Sequence, residues 1–89
     1  MRLIWLRAAV RSREQQIDTI AEYNPSAAAG LEQRIVDAIG QLPDHPRLGR
    51  VGRVPGTREL VVARTPYMVI YEIEGDMIRI VRVLRSARG

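Results

Sequence analysis

The chain opens on a short apolar run, Arg2-Leu3-Ile4-Trp5-Leu6, that reads as a strand. From Ala8 the apolar positions fall into helical spacing. Val10, Ile17, Ile20 and Ala21 share one side, and Arg11, Glu14, Gln15, Asp18 and Glu22 lie on the other. That is the thin stripe of an amphipathic helix. Asn24-Pro25 breaks the pattern. An Asn side-chain oxygen suits a helix N-cap, and Pro suits the first helical position, where no N–H is needed. Ala28, Leu31, Ile35, Ala38, Ile39 and Leu42 then recur at steps of three and four, with Glu32, Gln33, Arg34, Asp37 and Gln41 facing away. Pro43 stops this second helix. Two helices across a tight corner form a helical hairpin.

Residues 43–56, PDHPRLGRVGRVPG, carry three Pro and three Gly and read as irregular. Here Gly49, Gly52 and Gly56 are expected to supply turns with positive φ. Arg50 and Arg53 are expected to tie the loop to acids of the helices. Beyond it, Glu59-Leu60-Val61-Val62 reads as a strand, with a turn set by Thr65-Pro66. Residues 67–73, YMVIYEI, are β-branched and aromatic, which favours a strand. Glu74-Gly75-Asp76 signals a hairpin, and residues 77–84, MIRIVRVL, form the last strand. The predicted order is β-α-α-β-β-β. This is an α+β fold with a helical hairpin packed on one face of a mainly antiparallel four-stranded sheet. Simple alternation along the last strand puts Ile78, Ile80, Arg82 and Leu84 on one face. Arg79, Val81, Val83 and Arg85 fall on the other, a partly apolar, arginine-bearing surface suited to a protein partner.

Eighty-nine residues make a single domain, 1–89, with one modest core. Aliphatic side chains must fill it, because there is no Phe, one Trp and three Tyr. Trp5, Tyr67 and Tyr71 are expected in or beside it. Cysteine is absent, which excludes disulfides, thiolate metal sites and cysteine nucleophiles. The single His, His45, sits between Asp44 and Pro46 in the breaker-rich segment, a poor setting for a catalytic triad or metal site. No window approaches the roughly 20 apolar residues of a membrane span, and the N-terminus lacks the apolar core of a secretory signal. The expected compartment is the cytoplasm, with no cofactor and no metal.

All fourteen basic residues are Arg, and the net charge is +4. Residues 8–42 carry a net −2, whereas residues 43–89 carry nine Arg against five acids. Positive charge gathered in one half suggests an anionic partner, either nucleic acid or an acidic protein segment.

A longer pattern runs through these elements. Trp5 ends the first strand; Arg13-Glu14, Ile17-Asp18-x-Ile20, Asn24-Pro25-x-Ala27-Ala28 and Leu31-x-x-Arg34-Ile35 mark the helices. Leu42, His45-Pro46, Leu48-Gly49-Arg50 and GRVGRVPGTRELVV follow, then Thr65-Pro66-Tyr67, Ile70-Tyr71 and Val81-x-Val83-Leu84. On these residues the chain resembles the RelE/ParE superfamily of small toxins of type II toxin–antitoxin modules, in its ParE-like branch. The resemblance covers nearly the whole chain and implies the fold derived above. It also implies a growth-inhibiting toxin of the kind that stabilises plasmids, held in a hetero-oligomer by a cognate antitoxin.

The superfamily divides by mechanism. RelE-like members cleave mRNA on the ribosome, and ParE-like members poison DNA gyrase without bond-breaking chemistry. RelE-like nucleases place an Arg just after the Tyr that opens the middle strand, and here that position is Met68. Their basic and aromatic tail corresponds to Arg85-Ser86-Ala87-Arg88-Gly89, which has arginines but no Tyr or His. A guanidinium stays protonated and serves poorly as a base. Glu59 and Glu72 are the carboxylates that could serve instead. The resemblance therefore points to gyrase, with no catalytic residue. A ribosome-dependent nuclease using Arg85 and Arg88 is the alternative, and a weakly toxic member that only binds its antitoxin is a third reading. Arg58, Arg64, Arg85 and Arg88 are the expected target contacts. Arg79, Val81, Val83, Tyr67 and Tyr71 are the expected antitoxin contacts.

Overall fold

The computed structural model describes residues 1–86. Strand β1 (Arg2–Trp5) is followed by helices α1 (Arg7–Ala21) and α2 (Pro25–Gly40). Strands β2 (Arg50–Val51), β3 (Thr57–Val61), β4 (Tyr67–Glu74) and β5 (Met77–Arg85) complete the chain. The corner between the helices forms as its residues dictate. Asn24 has extended backbone, its side chain accepts from the Ala27 N–H at 3.1 Å, and Pro25 opens α2. No helix among the described residues is long and apolar enough to cross a membrane.

The sheet has five strands rather than four, in the order β1-β5-β4-β3-β2. The addition is β2, two residues inside the expected irregular segment, paired to Glu59 and Arg58 of β3. Contacts β2–β3, β3–β4 and β4–β5 are antiparallel, while β1 runs parallel to β5. The core lies between the sheet and the helical hairpin. Ile35, Ile39 and Leu42 meet Val69, Tyr71, Ile78, Ile80 and Val83 there, each at most 2% exposed.

Strand β5 departs from simple alternation. Tyr71 pairs with Ile80 but its neighbour Ile70 pairs with Arg82, so Val81 is an extra, bulged residue. Every side chain beyond it changes face. Directly opposite residues share a face. Val83 pairs with Val69 and Arg85 with Tyr67, so both join Ile78 and Ile80 on the helix side. Arg82 and Leu84 join Arg79 on the open side. The expected grouping of Arg79, Val81 and Val83 on one exposed face is therefore corrected. Val83 is wholly buried.

The bulge sits where β1 ends. Trp5 is the last residue paired to β5, the Leu6 N–H closes on the Ile80 carbonyl at 3.0 Å, and the chain turns into α1. The outer edge of β5 beyond Ile80 then lies against α1. Ser12, 5% exposed, meets it with a hydroxyl. Its Oγ donates to the Ala9 carbonyl at 3.0 Å and accepts from the Val83 N–H at 2.9 Å. Trp5 packs against the core, with the Arg13 guanidinium 4.8 Å from its ring centroid.

Candidate functional site: an arginine-bearing groove along the edge of strand β3

The long connection from α2 into β3 is fastened at two points. Tyr71 reaches out of the core and donates its hydroxyl to the Pro46 carbonyl at 2.7 Å. The same oxygen accepts from the Gly49 N–H at 2.9 Å. A Cβ on Gly49 would sit 2.8 Å from the Tyr71 ring and 2.9 Å from the Glu59 carbonyl. At Gly52 a Cβ would overlap the Thr57 side chain. These two glycines are thus required by close approach, not by positive φ as expected. Gly56, at φ 85°, does match that expectation.

The second fastening is Glu59. Its Oε1 accepts from Arg50 Nε at 3.1 Å and Nη2 at 3.0 Å, and its Oε2 accepts from the Arg53 backbone N–H at 3.1 Å. The expected partners of Arg50 and Arg53 were helix acids. The strand carboxylate takes their place because β2 brings Arg50 directly opposite Glu59. The Arg53 N–H and then the Arg50 guanidinium hold the Glu59 carboxyl below the ordinary glutamate value. A depressed folded-state pKa contributes stability that is complete above the unfolded pKa and lost as pH falls through the folded one. The urea midpoint of the wild type should therefore drop as pH falls below about 4.3, with a shallower drop in Glu59→Gln. Equal acid slopes would show that Glu59 does not carry the dependence. Glu74 acts in the same direction, since Arg79 lowers its pKa, and it remains in both proteins.

The candidate residues separate into distinct settings. Arg58 donates Nη1 to the Gly49 carbonyl at 2.7 Å and so helps hold the loop. Arg79 makes two bonds to Glu74, at 2.7 and 3.1 Å, and lies 3.8 Å from Glu72. Tyr67 and Tyr71 are 5% and 0% exposed. Both belong to the core, and Tyr67 also borders a groove. Val81 is partly exposed at the bulge. Arg85 is exposed and lies 5.9 Å from the Tyr67 ring centroid. Arg88 lies outside the described residues.

Arg64 stands apart. Its backbone lies at φ 62°, the sole described residue other than Gly with positive φ. Such a conformation costs a bulky side chain on the order of 1–3 kcal/mol. It turns the chain between β3 and β4. A groove of about 510 Å³ runs from Arg64 along β3, lined also by Arg34, Asp37 and Ala38 of α2 and by Gln41 just past its end. A second, of about 370 Å³, continues from the same Arg34 and Arg64 toward Gly30, Ala27 and Ile20. Arg34 and Arg64 line both grooves. Arg64 is among the expected target contacts, and Arg34 is not. Its outward place on α2 is visible in the sequence; that it lines the same grooves as Arg64 depends on how the helix lies on the sheet.

Comparison with known proteins agrees with this architecture. The family model described as ParE toxin of type II toxin-antitoxin system, parDE, matches residues 3–89. The chain is 38% identical over 76 residues to Y4kP, a candidate toxin of Sinorhizobium fredii, covering 85% of this chain and 79% of that one. It is 30% identical over 86 residues to Toxin RelE2 of Caulobacter vibrioides, covering 97% and 96%. Among solved structures, a chain of the chromosomal ParDE toxin–antitoxin system from P. aeruginosa superposes with a TM-score of 0.88. It has 29% identity and coverage of 97% and 96%. The helical hairpin, the five-stranded sheet and a match over nearly every residue lead to one assignment: this chain belongs to the ParE toxin family of type II toxin–antitoxin systems.

Proposed function

We propose that this toxin acts in the cytoplasm by binding DNA gyrase, without breaking bonds itself, and that a cognate antitoxin neutralises it in a hetero-oligomer. The observation carrying the gyrase reading is the state of the carboxylates. To cleave RNA, a group must take the proton of a 2′-hydroxyl, and a useful base has a pKa near the working pH. Glu59 is bound on both oxygens by Arg50 and Arg53, and its pKa is lowered, away from neutrality. Glu72 faces Arg79 at 3.8 Å, and Glu74 is bound by the same guanidinium. Glu59 and Glu74 are thus each hydrogen-bonded to an Arg, and Glu72 has a guanidinium nearby. Met68, where the RelE-like nucleases have Arg, is 6% exposed and cannot stabilise a phosphate.

The alternative is mRNA cleavage on the ribosome. Similarity to Toxin RelE2 favours it, with Arg85 exposed beside Tyr67 as a phosphate contact. A paired assay separates the two. Purified toxin should inhibit supercoiling by purified gyrase and accumulate cleaved DNA, while leaving mRNA intact in a purified translation system. Codon-spaced cuts in translated mRNA with gyrase unaffected would establish the nuclease instead.

A further inference from the structure

The β3 edge is incomplete. β2 pairs only with Arg58 and Glu59, so no strand covers Leu60 and Val61 on that side. The Val62 N–H donates inward to the Tyr67 carbonyl, and the Thr57 carbonyl accepts outward from the Gly52 N–H. Alternation along a strand then turns the Val61 N–H and carbonyl outward, with those of Glu59 and Thr57. They open onto the larger groove, and the Val61 side chain is 54% exposed beside them. An unpaired edge is a template for another chain.

The charges at this edge have a direction. Arg50 is neutralised by Glu59. Arg34 and Arg64 are in no ion pair among the described residues, and both line each of the two grooves. Arg64 occupies a backbone position that Gly would fill without strain. A side chain kept at a strained position points to a use for that side chain.

We propose that the outer edge of β3 takes an extended acidic peptide segment as an added strand. The Val61 backbone pairs with it, and Arg34 and Arg64 clamp one of its carboxylates. Pairing through the main chain supplies affinity, and the flanking groove selects the side chains. The inference rests on the antitoxin reading above and assigns this segment to the neutralising partner.

The test uses the full chain and its cognate antitoxin. Arg64→Gly removes the guanidinium and relieves the backbone, so this variant should fold at least as well as the wild type. Its antitoxin affinity should fall about 10–100-fold, as for a charge-assisted hydrogen bond. Arg34→Gln should fall similarly. Hydrogen exchange in the wild-type complex should show the Val61 amide strongly slowed. Unchanged affinity in a folded Arg64→Gly, or a Val61 amide that exchanges as fast in the complex as in the free toxin, overturns the edge site alone. A folded wild type that binds no antitoxin overturns the antitoxin reading itself.

Discussion

Tyr71→Ala should lower the free energy of unfolding by about 3–5 kcal/mol, as removal of a buried aromatic side chain does. Domains of this kind are stable by only about 5–15 kcal/mol, so the change removes a large share. Two losses combine. The ring, fully buried against α2 and β5, leaves a cavity. The hydroxyl leaves the Pro46 carbonyl and the Gly49 N–H without their partner. Tyr71→Phe separates the two. It keeps the ring and should cost about 1–3 kcal/mol for the unpaired groups. Urea midpoints of the two variants give the partition. Hydrogen exchange should also show residues 46–50 loosened in both, since the hydroxyl is what ties that loop to the core. A Tyr71→Phe protein as stable as the wild type would show that water satisfies the loop equally well.

The contrast between Tyr71 and its neighbours shows which parts of this molecule its sequence made legible. The helical hairpin was readable because each piece is local: Asn24 and Pro25 set the corner, and spacing of three and four placed Ala28, Leu31, Ile35 and Ile39 in the core. The β3–β4–β5 meander was readable for the same reason, through β-branched runs and short turns. Gly75, at φ 58°, takes the hairpin position its neighbours predict. What escaped depends on partners distant in sequence. Residues 50–51 become a strand only because Glu59 is brought alongside. Gly49 is fixed by a ring 22 residues away. The bulge at Val81 left no mark in MIRIVRVL, whose apolar and polar residues fit either phase. That reversed phase moved Val83 out of the expected antitoxin surface. The candidate site was legible in part. Arg64 stood out as an arginine in a turn, but its strained backbone and the groove it shares with Arg34 are properties of the folded chain.

The phase change also explains why a polar residue is buried in α1, and it yields a sharp expectation. Ser12→Ala should destabilise the protein by about 1–3 kcal/mol, the penalty for leaving a buried donor unpaired. This is more than loss of a small surface-type side chain would cause. Helix propensity acts in the opposite direction, since Ala is the better helix former. A net loss would therefore isolate the hydrogen bond. The bond spans 71 positions in sequence and joins the first helix to the last strand. It stands in for the neighbouring strand that β5 lacks once β1 has ended at Trp5. The amide of Val83 should exchange much faster in Ser12→Ala, while that of Val69, on the opposing strand, should follow only the global change in stability. Ser12→Thr keeps a hydroxyl and should restore the protection of Val83 if the added methyl fits. If it does not, Ser12→Gly, which also removes the acceptor but leaves room for water, provides the comparison. Rapid Val83 exchange in Ala with recovery in Gly would show that water can replace the hydroxyl. A Ser12→Ala protein that gains stability, with Val83 still protected, would show that α1 holds the edge of β5 by packing alone.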